Sequence, residues 1–136
     1  MILLEGDYNA ITDRIIHCAI EVHKELGPGL VESVYEVCLR KEMVDDGLNV
    51  KSQVPIPVYF KGEELDKYFV VDDLVEDSII LELKSVETIL PIHEAQLLTY
   101  LRLANKKLGL LINFNVPRLR DGIRRKINGN LNVSRQ

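Results

Sequence analysis

Apolar residues fall first into a helical repeat and then, past the first third of the chain, into a strand repeat. From about Asn9 to Leu26 the positions Ile11, Ile15, Cys18, Ala19, Val22 and Leu26 recur every three or four residues, predicting an amphipathic helix capped by Asp7 or Asn9. Gly27-Pro28-Gly29 ends it, since glycine accepts a left-handed cap and proline cannot continue the ladder. A second helix is predicted from about Val31 to Asp46, burying Val34, Tyr35, Cys38, Leu39 and Met43, with Gly47 beyond its end.

The period then shortens to two. Val50–Gln53 and Ile56–Phe60 are predicted as short strands separated by Pro55 and closed by the turn Lys61-Gly62. Tyr68–Val75 and Ser78–Val86 are predicted to form a hairpin across Glu76-Asp77, with Ile79, Leu81 and Leu83 facing one way and Ile80, Glu82 and Lys84 the other. Pro91 opens a third helix, roughly Ile92–Ala104, with Asn105 as its C-terminal cap. Leu108–Asn113 is a continuous apolar run, as in a strand covered on both faces, and Gly122–Ile127 is a short final element. The order predicts an α/β (α+β) fold: a mixed sheet with helices packed on it.

At 136 residues and 15.5 kDa the chain is expected to form one domain over residues 1–136. Its 46% hydrophobic and 28% charged residues describe a globular chain. No apolar run approaches the roughly 20 residues a membrane span needs, and the N-terminus lacks the pattern of a secretory signal. Cys18 and Cys38 lie inside apolar helical patterns and suggest neither a disulfide framework nor a zinc site. A cytoplasmic protein without membrane contact is expected.

The net charge of -4 argues at first against a nucleic-acid partner, but its distribution qualifies that. From Pro117 onward Arg118, Arg120, Arg124, Arg125, Lys126 and Arg135 face a single acid, Asp121, a balance of +5 against -9 for the remaining 116 residues. A basic end on an acidic body can track a phosphate backbone, although such clusters also occur as plain solvated surface.

Three features are not demanded by packing. Glu82 and Lys84 lie two apart on an otherwise apolar strand and share a face, about 7 Å apart by strand rise. If the hairpin turns at Glu76-Asp77, Asp72 comes opposite Glu82, so two carboxylates meet beside one ammonium. Like charges this close raise each other's pKa unless a cation neutralises them, and a hard ion such as Mg²⁺ suits that need. Gln96 and Tyr100 lie one turn apart on the helix that follows.

Asp72, nine intervening residues, Glu82-x-Lys84 and then Gln96-x-x-x-Tyr100 resemble the active-site signature of the PD-(D/E)xK nuclease superfamily, restriction-endonuclease-like in fold. Gly29-Leu30-Val31-Glu32-Ser33-Val34-Tyr35 is similar to the pattern naming its small GxxExxY branch, as are Gln53-Val54-Pro55, His93–Leu101 and Gly109–Phe114. The similarity runs from about residue 8 to 127. Val71 stands where the superfamily name has proline, and Asp73 adds an acid where an apolar residue is expected. Alternation leaves the choice between Asp72 and Asp73 open; the family spacing favours Asp72.

The resemblance implies that Asp72 and Glu82 hold Mg²⁺ or Mn²⁺, with the Leu83 carbonyl as a further ligand. Lys84 would orient the attacking water and stabilise developing charge, Glu32 would reach the metal directly or through water, and Gln96 would hold water, metal or substrate with Tyr100 packed beside it. The bases Arg118, Arg120, Arg124, Arg125 and Lys126, with Lys106 and Lys107, would track the backbone. The expected activity is metal-dependent hydrolysis of phosphodiester bonds in nucleic acid, DNA foremost. A core this small is expected to dimerise, to use a partner protein or to show little sequence specificity. The alternatives are a catalytically silent nucleic-acid-binding subunit and a protein-interaction module with the same fold. His17, His23 and His93 lack metal-ligand spacing and are not expected to be ligands.

Overall fold

The computed structural model describes residues 2–132; Arg135 of the basic end lies outside them. Helix α1 (Glu5–Leu26) starts four residues before the expected point. Asp7, in its first turn, accepts the Leu4 N–H through Oδ2 at 2.8 Å, a cap that the Leu4 side chain cannot provide. Gly27, at φ 70°, donates its N–H back to the His23 carbonyl at 2.8 Å and ends the helix. Helix α2 (Glu32–Asp45) buries Tyr35, Leu39 and Met43. Two members of its expected buried face do not follow: Cys38 is half-buried and Val34 is 38% exposed. A helix stripe narrower than the apolar pattern suffices where only α1 and the sheet cover it.

Strand β1 (Val50–Phe60) is continuous where two strands were expected. It pairs only with β2 (Glu63–Val75), so the missing N–H of Pro55 falls on an edge where it interrupts little. Lys61 and Gly62 both take positive φ, the left-handed geometry of a two-residue hairpin turn. β2 begins at Glu63, earlier than Tyr68, because the ribbon extends beyond the core with both faces in solvent. Glu76 and Asp77, also at positive φ, lead into β3 (Ile79–Lys84), which stops two residues short of the expected Val86. Helix α3 (Pro91–Ala104) ends at Asn105, whose φ of 55° makes it the left-handed cap read from the sequence. β4 (Leu108–Asn113) is buried throughout. The final element is a 3₁₀ turn (Leu119–Gly122) followed by β5 (Ile123–Ile127).

The five strands lie in the order β1-β2-β3-β4-β5, with β3 and β4 parallel and the other pairs antiparallel. This is the mixed sheet flanked by helices expected of a restriction-endonuclease-like core. Ile79, Leu81 and Leu83 pack with Ile15, Tyr35, Leu39 and Met43 beneath α1 and α2. Ile80 packs with Leu97, Tyr100 and Leu101 of α3 on the opposite face. The split on β3 is the one the alternation predicts.

On β2 the alternation fails at one place. Val71 and Leu74, three residues apart, belong to the same cluster under α3, which strict period two forbids. The phase changes between them, at Asp72 and Asp73, opposite a point on β1 where Gln53 takes φ 54°. Asp72 therefore does not simply share a regular strand face with Val70 and Leu74.

Candidate active site

The β2–β3 ladder runs from Val75–Ile79 to Asp73–Leu81. One step further, side chains replace the main-chain ladder: Glu82 Oε1 accepts the Asp72 N–H at 3.3 Å, and Asp72 Oδ2 accepts the Leu83 N–H at 2.7 Å. The two strands fork at this point. Glu82 is only 8% exposed, and Asp72 is half-buried beside it.

Helix α2 is brought to the fork by Tyr35. Its fully buried ring stacks on Phe114 with centroids 4.5 Å apart and planes 7° from parallel. Its hydroxyl donates to the Gly27 carbonyl at 2.6 Å and accepts the Leu30 N–H at 3.1 Å, fixing the loop before α2. Ser85 Oγ donates to the Leu30 carbonyl at 2.5 Å and ties that loop to the end of β3, next to Lys84. Glu32 is the first residue of the helix so placed, and Glu36 follows one turn later. One carboxylate oxygen from each of Glu32, Glu36 and Asp72 lies within 4.8 Å of the others.

Burial pushes all these carboxyls upward, and repulsion adds to it at Glu82, Glu36 and Glu32. Glu82 rises to about 8 through burial and then the charge of Asp72, and Glu36 to about 7 through burial and then Asp72. Asp72 and Glu32 are also raised by burial, with Lys84 pulling both back. Glu36 and Asp72 are close enough to share a proton. Several hard oxygen donors that repel one another when ionised are a donor set a divalent cation relieves, and they fit Mg²⁺ or a similar ion. Glu36 was not singled out from the sequence. The available signal was its position: two acids at i and i+4 on one helix face repel unless something positive lies between them.

Asp72, not Asp73, meets Glu82. Asp73 is 2% exposed, points to the α2 side and accepts the Ser52 hydroxyl at 2.7 Å. The field of Glu82 and Asp72 reaches Tyr100, whose ring packs tilted at 45° on Phe69 with centroids 5.0 Å apart. Gln96, one turn earlier on α3, is exposed, and no hydrogen bond joins it to the carboxylates among the described residues. His93 caps α3 by accepting the Leu90 N–H at Nδ1, 3.0 Å away. His23 is buried, with Nε2 2.8 Å from the Val116 carbonyl.

The bases are not gathered on one surface. Arg118 and Arg120 are exposed around the 3₁₀ turn, and Arg124 donates to the Asp121 and Ile123 carbonyls. Lys126 pairs with Glu94 of α3 at 2.9 Å, and Lys106 with Asp77 at 3.4 Å. Arg125 alternates onto the face of β5 opposite Arg124 and Lys126. Period two divides a cluster that looks continuous in sequence. No helix among the described residues is long and apolar enough to cross a membrane.

A family profile described as the PD-(D/E)XK nuclease superfamily matches residues 9–126. A search of curated proteins finds no match. Among solved structures, the crystal structure of SSO0001 superposes with a TM-score of 0.50 at 20% sequence identity, over 75% of this chain and 50% of that one. That likeness is one of fold, and the present chain spans half the length of its relative.

Proposed function

The chain belongs to the PD-(D/E)XK nuclease superfamily, and from that premise we propose that it is a metal-dependent nuclease of the GxxExxY branch, hydrolysing phosphodiester bonds in DNA. The observation that carries this reading is the convergence of Asp72, Glu82, Glu32 and Glu36, from one helix and two strands, around a fork beside Lys84. A fold needs no such cluster: buried like charges cost stability unless they are used.

In this reading Asp72 and Glu82 hold Mg²⁺ or Mn²⁺, with Glu32 and Glu36 completing the oxygen set. The bound ion supplies Lewis-acid polarisation of the scissile phosphate and a water of lowered pKa. Asp72 and Glu82 are fixed by main-chain donors on the facing strand, so they would meet the ion with little reorganisation. Lys84 orients the attacking water and stabilises negative charge on the phosphoryl oxygens as the water oxygen bonds to phosphorus and the ester P–O bond breaks. Tyr100 walls the apolar side of the fork. Gln96 reaches substrate from α3, and the exposed Arg118, Arg120 and Arg125 contact the backbone as separate points.

Purified protein with Mn²⁺ is expected to nick or degrade DNA, and Lys84→Ala is expected to lower the rate by about a thousandfold with the fold intact. Cleavage that survives both Lys84→Ala and Glu82→Ala sinks the assignment. Salt-sensitive DNA binding with no cleavage under any metal identifies instead a catalytically silent binding subunit.

A further inference from the structure

Beside the carboxylate cluster, on the α2 side of the kink in β1 and β2, lies a cavity of about 190 Å³ lined by Glu36, Arg40, Ser52, Gln53, Asp72 and Asp73. Every residue on its wall is polar or charged. It shares Glu36 and Asp72 with the fork, so a guest in it sits one side chain from the proposed cleavage centre.

Two features of this wall are costly unless used. Asp73 is 2% exposed, and with Oδ1 taken by Ser52 its Oδ2 is left without a hydrogen-bond partner. Arg40, one turn beyond Glu36, acts on Asp73 through its charge but makes no hydrogen bond or ion pair among the described residues. Two opposite charges on one small cavity, each incomplete, leave room for something between them.

The wall chooses the chemistry of the guest. With Glu36 and Asp72 committed to the proposed cation, what remains charged on the wall is one acid, Asp73, against one base, Arg40, a balance that favours neither a second metal ion nor a phosphate. An apolar group would strand every polar side chain around it. What fits is a neutral, planar group with a donor for Asp73 beside an acceptor for Arg40: an H–N–C=O edge. In a nucleic acid, thymine, uracil and guanine present that edge; with the base held in the same orientation by its sugar beside the scissile phosphate, cytosine and adenine place an acceptor against Asp73 and an amino donor against Arg40.

We propose that Arg40 and Asp73 form a base-reading subsite for the H–N–C=O edge of an unpaired nucleotide in the strand being cut, next to the scissile phosphate. The subsite rests on the nuclease reading above. Gln53 holds no hydrogen bond among the described residues and can turn aside to expose Asp73 Oδ2, while Arg40, equally unbonded, stays on the wall to meet the acceptor of the base. The base must leave its stack, which costs least in single-stranded or frayed DNA, so the substrate is single-stranded at the cut.

The test compares oligo(dT) with oligo(dC), pyrimidines of one size that differ at this edge. Binding is read by fluorescence anisotropy of the full chain with Ca²⁺, and cleavage separately with Mn²⁺. The unaltered protein is expected to bind oligo(dT) about tenfold more tightly. Arg40→Gln and Asp73→Asn are each expected to bring the ratio to near one. Arg40 is only half-buried, so Arg40→Gln keeps the test open if Asp73→Asn fails to fold. Equal binding by the unaltered protein, or a ratio unchanged in both variants, overturns the subsite. A tenfold ratio without cleavage under any metal supports the subsite and overturns the nuclease reading; cleavage with a ratio of one does the reverse.

Discussion

Glu82 reaches from β3 to accept the main-chain N–H of Asp72 at 3.3 Å, and Asp72 answers by accepting the N–H of Leu83 at 2.7 Å. At this step of the sheet two carboxylates do what two carbonyls do elsewhere in the ladder. The exchange explains how strands can part inside a hydrophobic sheet without leaving N–H groups orphaned. It also means that each acid is positioned by the backbone opposite it, so the donor set exists before any ligand arrives.

The exchange separates two roles of Glu82. In Glu82→Gln the amide oxygen can still accept the Asp72 N–H, so the fork should hold while a buried charge disappears. Cleavage is expected to fall by about a thousandfold, while the melting temperature stays level or rises by a few degrees. Paired activity assays and thermal melts check this. A melting temperature lower by roughly 10 °C or more would show that the charge itself holds the strands.

Glu36 tests the proposed cation site independently of catalysis. Its carboxylate lies in the oxygen cluster with Glu32 and Asp72, and one-turn spacing from Glu32 sets both on the same face of α2. Glu36→Gln is expected to weaken Mn²⁺ binding at least about tenfold by titration calorimetry. An unchanged affinity would remove Glu36 from the ligand set and leave the ion to Asp72 and Glu82.

Most of this geometry was legible because it follows regular periods. The two faces of β3, the left-handed cap at Asn105, the register that sets Asp72 opposite Glu82 and the boundaries of β4 all come from counting in twos or in threes and fours. What escaped depends on departures from period. The phase change near Gln53 takes Asp72 into the fork instead of onto the α3 face with Leu74, and strict alternation has no means to place it, while Asp73 keeps step with Val75 on the α2 side. Pro55 reads as a strand break until the strand is known to be an edge. Glu36 sat beside a family motif without belonging to it, and the basic end was read as one patch although its last bases lie on a strand that must divide them.

The upward shifts give the metal-free protein a characteristic pH dependence. Glu82 titrates at about 8, Glu36 at about 7 and Asp73 at about 6 when folded, against values near 4 to 4.5 when unfolded. Between these limits the folded protein holds more protons than the unfolded chain, so stability falls as pH rises from about 4.5 to 8. Metal-free protein is therefore expected to melt several degrees lower at pH 8 than at pH 5.5, and Mg²⁺ should reverse much of that loss by binding the ionised form. Thermal melts in EDTA and in Mg²⁺ at the two pH values check both parts. Greater stability at pH 8 in EDTA would mean that these carboxyls are not buried together.

The remaining question is whether Tyr35 fills space or positions chemistry, and its two hydrogen bonds separate the possibilities. Tyr35→Phe retains the ring and its stacking on Phe114, so a core role alone predicts little change. The variant loses the hydroxyl that joins the Gly27 carbonyl to the Leu30 N–H, leaving both to find water or remain unmet, at a cost of about 1–3 kcal/mol. The loop they hold carries the first residue of α2, so the freedom gained by residues 27–31 passes directly to Glu32. The Ser85 bond to the Leu30 carbonyl remains and keeps the loop from detaching altogether. Tyr35→Phe is thus expected to lower the melting temperature by roughly 5 °C and to weaken Mn²⁺ binding as well, although Tyr35 offers the ion no ligand. A lower melting temperature with unchanged Mn²⁺ affinity would confine Tyr35 to the core and leave Glu32 positioned by its helix alone.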